Sequence, residues 1–319
     1  MQPHERCSIS VVTPVYNGEA SIGELCRRLL EVLPRISAQH EVILVNDGSR
    51  DRSWERISEL CSRSPVVRGL NLMRNYGQHN ALLCGIRAAK YDLVVTMDDD
   101  LQHPPEEIPR LLARLEEGFD VVYGAPEAER NGLMRALASG ITRLALRAAV
   151  GSEVAKNVSA FRIFRTQLRE AFAGYQTSFV SIDVLLTWAT TCFGATKVAF
   201  QPRSSGSSNY TFGKLVRHAF DMMTGFSTLP LQLASLVGFG FTLFGLGVFI
   251  YVVGRYSLEG SIPGFPFLAS IIAIFSGAQL FALGVIGEYL ARMHFRTMNR
   301  PAYAVRDISK AENSKIQSH

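Results

Sequence analysis

Two hydrophobic periods take turns along the first 125 residues. The run SISVVTPVY (8–16) is β-branched and apolar and breaks at a proline-containing turn, which predicts a buried strand. Over 19–33 the apolar positions Ile22, Leu25, Leu29, Leu30 and Leu33 fall at helical spacing. The alternation then repeats. EVILVNDGS (41–49) predicts a second strand ending in a turn, 51–62 a helix with Asp51 near its start, VVRGLNLMRN (66–75) a third strand and its exit, and 78–90 a helix. DLVVTMDDD (92–100) predicts a fourth strand, PPEEIPRLLARLEEG (104–118) a helix with prolines and glutamates in its first turns, and FDVVYGA (119–125) a fifth strand. Strands and helices alternating at this pitch predict an α/β fold, a mostly parallel sheet with helices on both faces. In such sheets ligands bind at the carboxyl ends of the strands. The NDGS turn and the DDD run both fall there. Further on, residues 133–150 read as an amphipathic helix carrying Arg135, Arg143 and Arg147.

The second half changes character. No charged residue occurs from Met222 to Gly254, and none from Gly260 to Gly287. Roughly 20 apolar residues cross a bilayer core as a helix, so these stretches predict a transmembrane hairpin with spans near 230–253 and 267–288. Gly238, Gly245, Gly277 and Gly284 permit close helix contact. Lys214 and Arg217 precede the first span and Arg292, Arg296 and Arg300 follow the second, while the connector carries only Arg255. By the excess of cations on the cytoplasmic side, both ends are expected in the cytoplasm. The expected division is a sheet domain over 1–202, an amphipathic interfacial segment over 203–228, the hairpin over 229–291 and a cytoplasmic tail over 292–319.

Composition narrows the class. Of 319 residues 47% are hydrophobic and only 19% charged, more apolar than an ordinary cytosolic enzyme, and the hairpin accounts for the excess. The net charge of +5 suits phosphate-bearing or anionic partners without choosing among them. Five scattered cysteines without a CxxC pair argue against a zinc site or a disulfide framework. The first ten residues, MQPHERCSIS, show no apolar run of the signal-peptide kind.

Asp98, Asp99 and Asp100 stand in a row after an apolar strand. Like charges this close repel, and a divalent cation relieves that repulsion. Mg²⁺ takes one or two carboxylates plus substrate phosphates. If the segment stays extended, Asp98 and Asp100 converge, Asp99 points aside, and Gln102 adds a carbonyl oxygen. A solvated acidic turn explains the triplet equally well when it is taken alone. Likewise Asp47, in NDGS, is able to accept from a base N–H or a hydroxyl, or simply to close an Asx turn. PVYNG (14–18) places an aromatic plate, Tyr16, on the neighbouring strand end. The histidines are too dispersed to suggest a metal site, and Trp54 and Trp188 read as packing residues.

TPVYNGEASI, VNDGSRDRS, NYGQHNALLCGI and MDDDLQHPPEEIPRL, taken in order, resemble the family 2 glycosyltransferases of the GT-A (Rossmann-like) fold. With the hairpin, GEYLARM (287–293) and RPAY (300–303), the chain resembles the polyprenyl-phosphate branch: dolichyl-phosphate mannose synthases, bactoprenol glucosyltransferases and undecaprenyl-phosphate aminoarabinose transferases. The resemblance implies interfacial helices between sheet domain and hairpin. It also implies donor contacts from Pro14, Tyr16, Asn17, Asp47, Asp98, Asp99 and Arg130, and a Mg²⁺ or Mn²⁺ ion on Asp98, Asp100 and Gln102. RSSGSSNY (203–210) resembles the family's segment beside the lipid phosphate. Acceptor contacts are thus expected from Arg203, Ser208, Tyr210, Lys214 and Arg217, with Arg203, Asp98 and Asp100 carrying catalysis. The implied partners are a nucleotide diphosphate sugar, with a UDP-sugar favoured, a polyprenyl phosphate, the bilayer of the inner (plasma) membrane, and further copies of the chain in a tetramer. No nucleic acid is expected.

Several positions depart from the family's pattern. Asn209 replaces a frequent lysine, Gly18 a frequent glutamate, and Pro126 a frequent arginine for which Arg130 compensates. Asn157 and Ala160, in NVSAFRIF, replace acidic residues. These changes leave the transferase class intact and bear on which sugar is moved. Two rivals differ in class. A processive polysaccharide synthase needs a longer membrane region and a QxxRW motif, neither of which is here. A non-catalytic sugar-nucleotide sensor has no use for an intact acidic set. A dinucleotide oxidoreductase is disfavoured because no GxGxxG follows the first strand.

Overall fold

The computed structural model describes residues 7–126, 157–177, 180–201, 229–259, 264–298 and 300–310. The predicted helix over 133–150, Arg130 and the whole segment 203–228 lie outside them.

Five strands and four helices fall where the periodicity predicts: β1 (Ser8–Val15), α1 (Ile22–Ile36), β2 (Gln39–Asn46), α2 (Ser53–Arg63), β3 (Val67–Leu72), α3 (Gln78–Ala88), β4 (Leu93–Thr96), α4 (Ile108–Glu116) and β5 (Val121–Pro126). Strands β4-β1-β2-β3 lie side by side and parallel, which returning helices of one hand produce. Side chains alternate across the strands. Ile9, Val11 and Val15 face a core shared with α1, α2 and α4, while Val12, Ile43 and Val45 face one shared with α3. In α4 the buried Ile108, Leu111, Leu112 and Leu115 sit at helical spacing and supply the apolar stripe that holds the helix on the sheet. Proline is rare in central strands because it lacks a donor. Pro14 is tolerated because pairing with β4 has already ended at Val12 and Thr96.

Among the described residues, five elements complete the domain beyond the predicted alternation. β6 (Arg162–Arg165) runs antiparallel between β4 and β5. A 3₁₀ segment (Thr166–Phe172) leads toward α5 (Ile182–Ala189), and β7 (Phe193–Val198) pairs parallel to β5. The last is β8 (Val305–Lys310), antiparallel to β3 at the far edge, giving an eight-stranded sheet in the order β7-β5-β6-β4-β1-β2-β3-β8. Residues 292–319 were expected as a tail, yet part of this stretch is sheet. Ala302 is buried in the core with α3, with Tyr303 packed against it, and the Arg87 guanidinium lies 5.8 Å over the Tyr303 ring.

α6 (Leu229–Glu259) and α7 (Phe265–Thr297) hold the two apolar stretches, and within them Leu231–Leu258 and Ile274–His294 are long and apolar enough to cross a membrane. Their large apolar side chains are uncovered, Leu236 by 66%, Phe249 by 64% and Leu280 by 70%. A soluble core helix buries such groups. The helices meet at Phe241 and Phe275, whose rings lie 5.9 Å apart. Among the described residues, Gly245 alone of the four glycines singled out for helix contact has a neighbour within 4 Å of where a Cβ would be: a methyl there would stand 2.7 Å from the Phe275 ring.

Truncation before Ala302 removes a core residue and uncovers the edge of β3. We expect the detergent-solubilised chain to melt about 5 °C lower or more, as a loss of about 2 kcal/mol does in a domain of this size, read by differential scanning fluorimetry. An unchanged melting temperature would show β8 to be dispensable for stability.

Candidate active site

The loops leaving β1, β2, β3 and β4 gather at the carboxyl ends of the parallel strands. The first two are stitched together. Asn17 N–H donates to Ser49 Oγ (3.0 Å), Arg50 N–H to Asn17 Oδ1 (2.9 Å) and Gly18 N–H to Ser53 Oγ (2.9 Å). Asn17 takes a left-handed backbone, φ 55°, a conformation that asparagine tolerates better than most residues. Tyr16 is 46% exposed at this rim. Pro14 lies beneath it, buried within β1.

Asp47 does not stand open at the rim. It is 3% exposed, and its carboxylate accepts from the N–H groups of Tyr76 (2.7 Å) and Gly77 (2.9 Å). It fastens the loop after β3 to the end of β2. Burial pushes its pKa up to about 6, against the pull of those two hydrogen bonds.

The acidic triplet is not extended. β4 ends at Thr96, and Leu101 takes a left-handed φ of 61°, so residues 98–103 form a tight turn. Alternate-residue geometry therefore does not apply, and the β1 loop packs closely against Asp99. Its Oδ2 stands 2.0 Å from where a Cβ on residue 18 would be. Gly18, in place of the family's frequent glutamate, is what lets the turn close against the β1 loop. The two flanking carboxylates have other partners. Gln78 Nε2 donates to Asp98 Oδ1 (2.6 Å), and Gln102 N–H to Asp100 Oδ1 (3.1 Å). Beyond the turn, Gln201 N–H donates to the Gln102 backbone carbonyl (2.9 Å). His103 stacks on Phe161 and meets Phe200 edge-on, both at 5.3 Å. Burial pulls its imidazole pKa below the usual range, and the Asp100 charge partly offsets this.

Beneath the turn lies a buried polar cluster. Arg162 is 2% exposed and Asp183 5%. They pair through Arg162 Nη1 and Asp183 Oδ1, Tyr123 O–H donates to the same oxygen (3.0 Å), and Arg162 Nε donates to Thr96 Oγ1 (3.0 Å). Thr96 in turn donates to the Ala160 carbonyl (2.8 Å). The last residue of β4 is thus anchored from below. A second line runs from α5 to α3, where Ile182 N–H donates to His79 Nδ1 (3.3 Å).

An oxygen-only set, two carboxylates and an amide carbonyl on one turn, has the chemistry of a hard divalent cation. Among the described residues no three His, Cys, Asp or Glu side chains are grouped to hold an ion by themselves. The set fits a cation whose remaining ligands come from a phosphate-bearing substrate. The expected residues Arg130, Arg203, Ser208, Tyr210, Lys214 and Arg217 lie outside the described residues. Sequence reasoning missed Gln78, Thr96, Arg162 and Asp183. Arginine inside the apolar FRIF and glutamine opening a helix after Gly77 were the available signals.

The sequence pattern of glycosyl transferase family 2 matches residues 10–169. A Shewanella sediminis protein, undecaprenyl-phosphate 4-deoxy-4-formamido-L-arabinose transferase, is 36% identical over 96% of this chain and 94% of its own. The protein of the same name from Pseudomonas aeruginosa strain LESB58 is 36% identical over 100% of this chain and 95% of its own. Among solved structures, Mycobacterium tuberculosis glucosyl-3-phosphoglycerate synthase in complex with Mn²⁺, UDP-glucose and phosphoglyceric acid superposes with a TM-score of 0.52. That match has 19% identity and covers 68% of this chain and 78% of the other. The shared fold is the GT-A sheet.

The buried Asp47 makes a pH prediction. Its folded pKa lies above the ordinary carboxylate value, near about 4, so its protonated form favours folding. That contribution is full below about pH 4 and is lost as the pH rises through about 6. Asp47→Asn should remove this segment of the stability profile, leaving a smaller loss of melting temperature than wild type between pH 4 and pH 6. Parallel profiles for the two proteins would show that Asp47 does not titrate there.

Proposed function

Because this chain belongs to glycosyl transferase family 2, we propose that it transfers a sugar, with inversion, from a nucleotide diphosphate sugar to undecaprenyl phosphate on the cytoplasmic face of a membrane. One observation carries the reading. The similarity to undecaprenyl-phosphate transferases runs the full length of the chain, through the site loops and both apolar helices alike. Their 4-deoxy-4-formamido-L-arabinose is the first donor sugar to test, carried on UDP.

Asp98 and Asp100, with the Gln102 carbonyl, hold Mg²⁺ or Mn²⁺ in this reading. Bound there, the cation offsets the negative charge that grows on the leaving diphosphate. Tyr16 offers its exposed ring to the base, Pro14 and Asn17 shape the loop beside it, and Asp99 and Arg130 complete the donor contacts. Asp47 serves the same pocket by holding its wall. The acceptor is already anionic, since a phosphate monoester has a second pKa near about 6. It needs no strong general base, so the protein's part is alignment and electrostatics. Arg203 grips that phosphate with its fork of donors, supported by Ser208, Tyr210, Lys214 and Arg217 along an interfacial segment. There each cation gains roughly 1 kcal/mol from anionic lipid.

The pairing of β8 with β3 supports a hairpin whose two ends share one side. The cations Arg292, Arg296 and Arg300 after α7 favour the cytoplasm for that side.

Membranes or purified enzyme given UDP-sugars and undecaprenyl phosphate, read by mass spectrometry of the lipid, test the reading directly. Asp100→Ala should lower turnover at least about 100-fold, the scale of losing one preorganised charge-stabilising group, with melting unchanged. Near-normal turnover in that variant with Mg²⁺ or Mn²⁺ supplied would reject the metal assignment. Arg203→Ala should raise the Michaelis constant for the lipid phosphate far more than that for the donor, and Arg203→Lys should recover part of it. The reverse pattern moves Arg203 to the diphosphate.

A further inference from the structure

We infer that Gln78 is a positioning residue for the metal-binding turn, and that residues 76–78 couple it to Asp47 on the nucleotide side. The inference rests on the proposed metal role of Asp98 and Asp100.

A carboxylate on a short turn rotates about its Cβ–Cγ bond, and neighbouring aspartates push it away from the geometry a cation needs. Something has to fix that rotation without cancelling the charge. A neutral amide donor orients one oxygen and leaves the charge in place. Gln78 meets this requirement, with Nε2 2.6 Å from Asp98 Oδ1. It comes from a different element, the first residue of α3, so the contact ties the end of β4 to that helix.

The position of Gln78 is itself set. Among the described residues, no side chain caps the N-terminus of α3. The chain immediately before Gln78 is instead pinned by Asp47, which accepts from the N–H groups of Tyr76 (2.7 Å) and Gly77 (2.9 Å). The neighbouring His79 accepts from Ile182 N–H at 3.3 Å. Three consecutive residues thus run from the aspartate at the end of β2 to the aspartate after β4. Gln78 is exposed, so its replacement tests the hydrogen bond rather than packing.

The test uses the full-length protein in detergent, with saturating UDP and Mn²⁺ as probe. Free Mn²⁺ is counted by electron paramagnetic resonance. Gln78→Met keeps the length of the side chain and its helix propensity and removes the donor. Outer partners of metal ligands contribute about 10- to 100-fold to affinity, so Mn²⁺ binding should weaken about 10-fold or more in Gln78→Met. UDP affinity measured without metal, and the melting temperature, should stay at wild-type values. Unchanged Mn²⁺ affinity in Gln78→Met, in a protein whose Asp100→Ala variant has lost it, overturns the positioning role and leaves the metal reading standing. Equal Mn²⁺ binding by wild type and Asp100→Ala removes the metal reading, and this inference falls with it. A lowered melting temperature with unchanged Mn²⁺ affinity makes Gln78 a structural residue and likewise rejects the proposal.

Discussion

Three adjacent carboxylates at the end of a buried strand repel one another, and the surrounding structure restrains them. At an effective dielectric near 20, like charges about 4 Å apart cost on the order of 4 kcal/mol, so a free turn would splay. Here Gly18 admits Asp99 against the β1 loop, Gln78 holds Asp98, and the Gln102 N–H holds Asp100. His103 is clasped between two aromatic rings just beyond. The restraints come from separate loops and helices that the parallel sheet brings to one edge. This is why an α/β sheet with its loops at the carboxyl ends suits the chemistry: the backbone supplies alignment, and the carboxylates supply charge.

Below the turn, the Arg162–Asp183 pair is nearly sealed from water. Buried ion pairs add little net stability, because desolvation offsets their attraction, but losing one partner leaves a stranded charge costing about 3–5 kcal/mol. Such a pair tolerates few arrangements. It therefore fixes Thr96, and with it the point where β4 stops and the turn begins. Tyr123 joins the pair from β5 and Asp183 comes from α5. The strands outside the parallel core thus take part in placing a site they do not line.

The legible part of the fold was the part written in strong periodicity. The apolar strands β1 to β5 and the striped helices α1, α2 and α4 bury one face or both, and burial demands a pattern. β6 reads RIFR, with an arginine at each end, and β8 reads VRDISK, with three charges among six residues. The first carries arginine inward to meet a buried aspartate, and the second lies mostly in solvent at an edge, so neither follows the usual code. The extended reading of 98–100 failed for a related reason. Nothing local marks Leu101 as left-handed, and only the packing of Leu101 against the core makes that backbone worthwhile. The role of Asp47 in fastening two loops was not legible either, since NDGS shows only a polar turn at a strand end. Its partners, Tyr76 and Gly77, are backbone groups on another loop, invisible to residue identity.

Position in the chain also gives β8 a place in time. Asn71 on β3 and Asp307 on β8 share a hydrogen bond across 236 residues of sequence. Asn71 also accepts from Asn46 (2.8 Å), whose own Oδ1 meets the Ser49 N–H (3.3 Å) in the β2 loop. Chains emerge from the ribosome N-terminus first. The sheet therefore leaves with β3 as a bare edge, and both apolar helices follow before the strand that covers it. Only a chain that has finished those helices can close the sheet and brace the Asn46–Asn71 line. The last strand is therefore a completion step: the edge of β3 stays open until both long helices have been made.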